Sequence, residues 1–313
     1  MIAAVDLGGT HLRVGWWRQG AWAESRVEPT RRSAGASGLL DQLVKAVQSG
    51  PPVKGLVLAT AGTLRPASGH VVGAANLPLR QIDLRQILIE RLGFPVAVMG
   101  DATAAALAEF AQGSGRGFDH GVFVTVSTGI GAGFVTSGAL VSGVDDQVGE
   151  LGHVPVQLGH RASQCPCGQR GCLETVASGS GLAARWAEAT GQVIDAKELL
   201  AAAEAGAEPA RSIVERGSTH LGAALAGLVR LFSPQVVVLG GGLIQSDFYV
   251  RAIRRGFGSI LADSSPESEG LIRLASCQLS SALVGAALVG SGDPAATKLL
   301  SRSGFRSQLE DFQ

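Results

Sequence analysis

Apolar positions recur along this chain in two distinct periods. Residues 2–16 open with an apolar run, break at Asp6-Leu7-Gly8-Gly9-Thr10 and resume with the alternation Leu12, Val14, Trp16, which predicts a β-hairpin closed by a glycine turn. Residues 37–49 place Leu39, Leu40, Leu43, Val44 and Val47 at helical spacing, and Gly50-Pro51-Pro52 stops that helix. The run 55–62, GLVLATAG, reads as a buried strand, and 63–80 reads as a loop with Asn76 in a turn context. A helix is predicted from Asp83 to Leu92. The strand 95–100, PVAVMG, then ends directly before Asp101, at the head of an alanine-rich helix.

The second half repeats the first hairpin's logic. Residues 120–143 contain a strand, the turn Ser127-Thr128-Gly129-Ile130-Gly131-Ala132-Gly133 and a second strand. Residues 176–205 and 217–232 are helical in period, the latter with Leu221, Leu225, Leu228, Val229 and Phe232 on its apolar side. The run 234–242, PQVVVLGGG, predicts a buried strand capped by Gly240, Gly241 and Gly242, and 281–290 reads as a last helix able to return to the first half. Two glycine-turn hairpins, one in each half, predict an α/β protein of two related lobes. We expect a smaller lobe of 1–107 plus a C-terminal helix at about 283–313, and a larger lobe of 108–282.

Composition narrows the ligand. With 313 residues and 46% hydrophobic content the chain can bury a large core, and 26 basic against 26 acidic residues leave a formal net charge of zero. No electrostatic footprint for nucleic acid or a membrane surface follows, so a small neutral or anionic ligand is expected. The first residues, MIAAVDLGGT, lack a signal peptide's basic and apolar regions, and a cytoplasmic location is expected.

The most informative stretch is 147–174, which holds three of the four cysteines. Cys165, Cys167 and Cys172 are spaced C-x-C-x4-C with glycines between them, and His153 lies upstream. This Cys3His set suits a tetrahedral, structural Zn2+ with no open position for a catalytic water. Reduced, unliganded thiols or a disulfide are the alternatives. Glu150 and Glu174 flank the same loop, so a metal that fixes His153 and the cysteines also fixes two acids able to accept ligand hydroxyls. As lone residues they would be solvated surface charges.

G-E-x-G-H followed by C-x-C-G-x-x-G-C-x-E resembles the signature of the ROK family of sugar kinases and sugar-responsive repressors. The resemblance extends over nearly the whole chain, since the Asp6 hairpin, Asp101 helix, Thr128 turn and metal loop occur in that order; the Asp6 hairpin is similar to the D-x-G-G-T phosphate motif of that family and the wider hexokinase–actin class. It implies an actin/hexokinase-like (ribonuclease H-like) fold with a cleft between lobes. Glycine amides admit phosphates in such turns. Asp6, Gly8, Gly9 and Thr10, with Thr128 and Gly129, would hold the phosphates of ATP, Asp6 would lie near Mg2+, and Gly240 and Gly241 would admit the nucleoside. Packing alone is the alternative reason for each glycine.

For Asp101, position alone favours a helix N-cap; the family's strand–Asp–Ala-rich helix implies the general base, accepting the proton of a sugar hydroxyl as it attacks phosphorus. Asn76 in Asn-Leu-Pro, with Glu150, His153 and Glu174, would hold ring hydroxyls, His153 serving metal and sugar through its two nitrogens. Gly100 stands where the family usually has Asn, so one side-chain contact to the sugar is missing.

The implied activity is a glucokinase-like transfer of the γ-phosphoryl of Mg·ATP to a hexose, at glucose O6. V-S-T-G-I-G and Asn-Leu-Pro-Leu are also similar to N-acetylmannosamine kinases, so an N-acetylmannosamine or N-acetylglucosamine kinase is the alternative within the class. A non-catalytic sugar-sensing protein is the alternative outside it. The family's repressors carry a helix-turn-helix ahead of the hairpin, which here begins at residue 2. A homodimer or homotetramer is what the family implies.

Overall fold

The computed structural model describes residues 1–143, 148–160, 162–261, 270–277, 280–301 and 303–312. In chain order the elements begin with β1 (Ile2–Leu7), β2 (His11–Arg18), β3 (Ala21–Pro29) and α1 (Gly35–Gln48). Then come β4 (Leu56–Thr60), β5 (Thr63–Arg65), β6 (His70–Gly73), β7 (Arg80–Asp83), α2 (Leu84–Leu92), β8 (Val96–Gly100) and α3 (Asp101–Ala111). They continue with β9 (Gly121–Val126), β10 (Ile130–Thr136), β11 (Ala139–Leu140), α4 (Glu174–Ala177), α5 (Gly179–Thr190), α6 (Ala196–Glu204) and α7 (Ala210–Phe232). The last are β12 (Val236–Gly240), α8 (Asp247–Leu261), β13 (Ile272–Leu274), α9 (Ser281–Gly290) and α10 (Pro294–Leu299), before a 3-10 segment Gly304–Phe312.

Two compact units divide the chain: residues 1–119, 133–149 and 276–313, and residues 120–132 and 150–275. The first therefore takes in 108–119 and 133–149, which a division at residue 108 assigns to the second. Its five-stranded sheet runs β3-β2-β1-β4-β8, with β1 antiparallel to β2 and parallel to β4, and β4 parallel to β8. β4, apolar up to Thr60, and β8 are almost fully buried because parallel strands are covered on both faces. α1 turns Leu39, Leu40, Leu43, Ala46 and Val47 into one core with Val5, Leu12, Val14 and Trp16 of the hairpin. In the second unit β9, β12 and β13 are parallel neighbours.

Three local readings change. Residues 63–80 are not a plain loop: β5, β6 and β7 form a small antiparallel sheet whose strands, three or four residues each, are too short to show a period. The helical stretch 176–205 is broken where Ser178 turns extended and caps α5 through Gly181 N, and again where Asp195 and Glu198 form the capping box of α6. The C-terminal helix ends at Gly290 and is followed by two shorter segments.

α9 is held to α3 by a fully buried carboxylate. Glu109 accepts from the backbone N–H of Ser114 (2.9 Å) and Cys277 (2.9 Å) and from Ser281 Oγ (2.8 Å). A buried charge needs such a set of donors.

Candidate functional site

In the first unit the register Leu7↔Thr60↔Gly100 sets the ends of β1, β4 and β8 level. The Gly8-Gly9-Thr10 turn and Asp101 thus share the C-terminal edge of one sheet, two strand spacings apart, where ligands bind in open α/β sheets. The turn is closed by Gly8 N–H on the His11 carbonyl (3.0 Å), and Thr30 Oγ1 donates to the Gly8 carbonyl (2.8 Å). A Cβ on Gly9 would lie 2.8 Å from Asn76 Cβ, so the absent side chain is what lets the Asn76 turn close on the hairpin.

Asp6 is buried beneath that turn. Its Oδ2 accepts from Arg13 Nη1 (3.0 Å) and Ser280 Oγ (2.8 Å). Asp101, half-buried, is the first residue of α3, and its Oδ1 accepts from Ala102 N–H (2.7 Å). Gly100 before it has ordinary extended backbone, and a Cβ there would find only Thr103, with Oγ1 at 3.4 Å. The backbone does not require glycine at that position.

In the second unit the pairing Gly240↔Thr125 brings the end of β12 level with the end of β9. Ser127-Thr128-Gly129 and Gly240-Gly241 consequently sit on one edge. Here the glycines have a packing reason: a Cβ on Gly240 would lie 2.8 Å from the Phe123 ring, and Gly241, at φ +97°, lies against the Val126 carbonyl.

The sulfur-rich loop converges. One ligand atom from each of His153, Cys165, Cys167 and Cys172 lies within 4.8 Å of the others, with Cys167 and Cys172 Sγ 3.7 Å apart and Cys165 Sγ 3.6 Å from His153 Nδ1. Sulfurs at the corners of a zinc tetrahedron stand about 3.8 Å apart, whereas a disulfide needs about 2.0 Å. Burial pushes the Cys165 thiol up to about 12, and a bound cation would offset the cost of its thiolate. The donor set fits zinc. His153 Nε2 faces Glu150 Oε2 at 3.6 Å, the carboxylate–histidine pairing that orients metal ligands.

Glu150 is partly exposed. Desolvation raises its pKa, His153 lowers it and Glu174 raises it, with a net upward direction. Glu174 is buried and its Oε2 accepts from Ile130 N–H (2.9 Å). The structure thus gathers Asp6, Gly8, Gly9, Asn76 and Asp101 in one unit, and Thr128, Gly129, Glu150, His153, the three cysteines, Glu174, Gly240 and Gly241 in the other. Sequence reasoning passed over Arg13 and Ser280. Only Ser280 left a signal, as the capping residue before an apolar helix.

The fold that carries these edges and the Cys3His loop has known relatives. The family model "ROK family" matches residues 2–291, and the chain belongs to this family. It is 30% identical over 277 residues to a glucokinase of Halalkalibacterium halodurans, covering 81% of this chain and 84% of the relative. An N-acetylmannosamine kinase of Citrobacter koseri is 31% identical over 295 residues, covering 93% and 98%. Among solved structures, a ROK family glucokinase from Streptomyces griseus in complex with glucose and AMPPNP superposes with a TM-score of 0.80 at 29% identity, over 91% of this chain and 97% of that one.

Proposed function

We propose that this ATP-dependent sugar kinase phosphorylates a hexose, with glucose as substrate and O6 as the acceptor. The observation that carries the reading is Asp101 on the same sheet edge as the Asp6–Thr10 hairpin, in a chain whose relatives are glucokinases and N-acetylmannosamine kinases. Asp101 accepts the proton of the attacking hydroxyl, so that the oxygen reaches phosphorus as an alkoxide-like nucleophile. Gly8, Gly9 and Thr10, with Thr128 and Gly129, orient the phosphates through backbone N–H groups, and Gly240 and Gly241 leave room for the nucleoside. Asp6 holds hydrated Mg2+, which neutralises charge on the β- and γ-oxygens when bound.

Asn76, Glu150, His153 and Glu174 bind the ring hydroxyls. His153, Cys165, Cys167 and Cys172 hold a structural Zn2+ that keeps His153 and both acids in place before the sugar arrives. Water is also a phosphoryl acceptor, so sugar binding must exclude it to prevent ATP hydrolysis. No helix among the described residues is long and apolar enough to cross a membrane; we place the enzyme in the cytoplasm, as a homodimer or homotetramer, without nucleic acid as a partner.

N-acetylmannosamine is the second candidate, because the relative of that activity matches 93% of this chain and Gly100 leaves space beside Asp101. Sugar-dependent ADP release from Mg·ATP tests the reading, and a panel of sugars separates the two substrates.

A further inference from the structure

We propose that Glu174 is a positioning residue for the phosphate turn Ser127-Thr128-Gly129, and that through it the metal loop sets affinity for nucleotide as well as for sugar. This rests on the kinase reading. It assigns Glu174 a role toward the phosphoryl donor in addition to the sugar contact.

The turn is held almost entirely from outside itself. Ser127 N–H closes it on the Gly129 carbonyl at 2.9 Å. Its outward carbonyls face α5: Ser127 O accepts from Gly179 N–H (2.7 Å), and Thr128 O accepts from Ser180 N–H (3.2 Å) and Ser180 Oγ (2.7 Å). Ile130 N–H is fixed by Glu174 Oε2 at 2.9 Å. Gly129 N–H has no acceptor among the described residues. The Gly179 and Ser180 contacts hold the Ser127 and Thr128 carbonyls toward α5, which leaves the Gly129 amide for an incoming anion.

Two routes lead from Glu174 to the turn. The side chain reaches Ile130 directly. The backbone carbonyl of Glu174 accepts from Ser178 Oγ (2.8 Å), which lies 3.0 Å from Ser180 Oγ, the hydroxyl that holds Thr128. Glu174 is itself fixed by the metal loop, because it stands two residues after Cys172, and Leu173 N–H between them bonds to Val154 O at 2.9 Å. The His153 side of the loop abuts the same place: a Cβ on Gly152 would collide with the Ile130 carbonyl and lie 3.3 Å from Glu174 Oε2. A shift of the cysteines therefore moves the acceptor of Ile130 N–H.

Glu174 is 8% exposed, so this bond lies in a dry place where its loss is felt. Its loss leaves a buried N–H without a partner and lets the turn relax from its binding geometry. Glu174→Gln keeps a carbonyl oxygen for Ile130 N–H and most of the side chain's shape; Glu174→Ala keeps neither.

The test is calorimetric binding of a non-hydrolysable ATP analogue with Mg2+ and no sugar, on the zinc-loaded protein and after chelation. For Glu174→Ala we expect analogue affinity to fall at least ~10-fold, and for Glu174→Gln to stay within ~3-fold of the parent. Chelation should weaken the parent, and weaken Glu174→Ala by less, since only the backbone route through Ser178 and Ser180 remains in that variant. Analogue affinity unchanged in Glu174→Ala, equal losses in both variants, or a strictly additive effect of chelation would overturn the proposal. If Glu174→Ala does not fold, Ser180→Ala tests the outer route, with a several-fold loss expected and unchanged affinity overturning it. A parent protein that binds no nucleotide would contradict the kinase reading instead.

Discussion

Ser280 Oγ donates to Asp6 Oδ2 at 2.8 Å, joining residues 274 apart in sequence and tying the cap of α9 to the end of β1. The return of the C-terminal helix thus braces the Asp6–Thr10 hairpin of the same unit. Hydrogen bonds to charged groups contribute roughly 1.5–3 kcal/mol, and Arg13 remains on the same oxygen, so the lower end applies to Ser280→Ala. We expect that variant to unfold at lower urea and to need several-fold more Mg·ATP for half-maximal rate, with Ser280→Thr restoring both. Unaltered values in the alanine variant would detach Ser280 from the site.

Asp101→Asn keeps the side chain's shape and an oxygen for Ala102 N–H but cannot accept a proton. Phosphorylation should fall at least ~100-fold, as for removal of a general base, while the sugar dissociation constant stays nearly constant. A turnover close to that of the parent would remove Asp101 from the chemistry.

Thiol chemistry reports on the metal loop. Burial, then the Glu109 carboxylate, raises the Cys277 thiol well above its ordinary range. Only the thiolate is nucleophilic, so at neutral pH Cys277 stays protonated and its alkylation should accelerate only in alkaline solution. We expect one zinc per chain by elemental analysis and no fast-reacting thiol in the intact protein. Chelation should release Cys167, exposed and with its thiol below the ordinary range, as the fast-reacting group, with Cys165, Cys172 and Cys277 slow. A fast Cys167 in a metal-free, fully active protein would refute the structural zinc.

Gly100→Asn should fold without penalty, since its backbone is extended and a new Cβ meets only Thr103 at ordinary contact distance. The larger side chain fills space beside Asp101, so the ratio of kcat/KM between glucose and an N-acetylhexosamine should move by about tenfold. An unchanged ratio would place position 100 outside the sugar pocket.

Much of the fold was legible because its signals are local. The helix carrying Leu39, Leu43 and Val47 and the strand Val96–Gly100 before Asp101 announce themselves through spacing, and the Cys3His convergence through C-x-C-x4-C with His153 upstream. What stayed hidden depends on distant partners. Glu109 reads as an ordinary charge inside an alanine-rich helix until residues 167 to 172 positions away arrive to bind it. Glu174 likewise reveals its contact with Ile130, 44 residues earlier, only in three dimensions. The strands at 63–83 were hidden for a different reason: with three or four residues each, and Pro66 and Gly69 between the first two, they leave no period to read.

Sugar-dependent phosphoryl transfer is read directly as ADP release from Mg·ATP with glucose, mannose, fructose, allose, N-acetylglucosamine and N-acetylmannosamine in turn. Release should be stimulated most by glucose, with the phosphate found on O6. Silence across the panel from folded, zinc-loaded protein would contradict it and favour a sugar-binding protein without kinase activity.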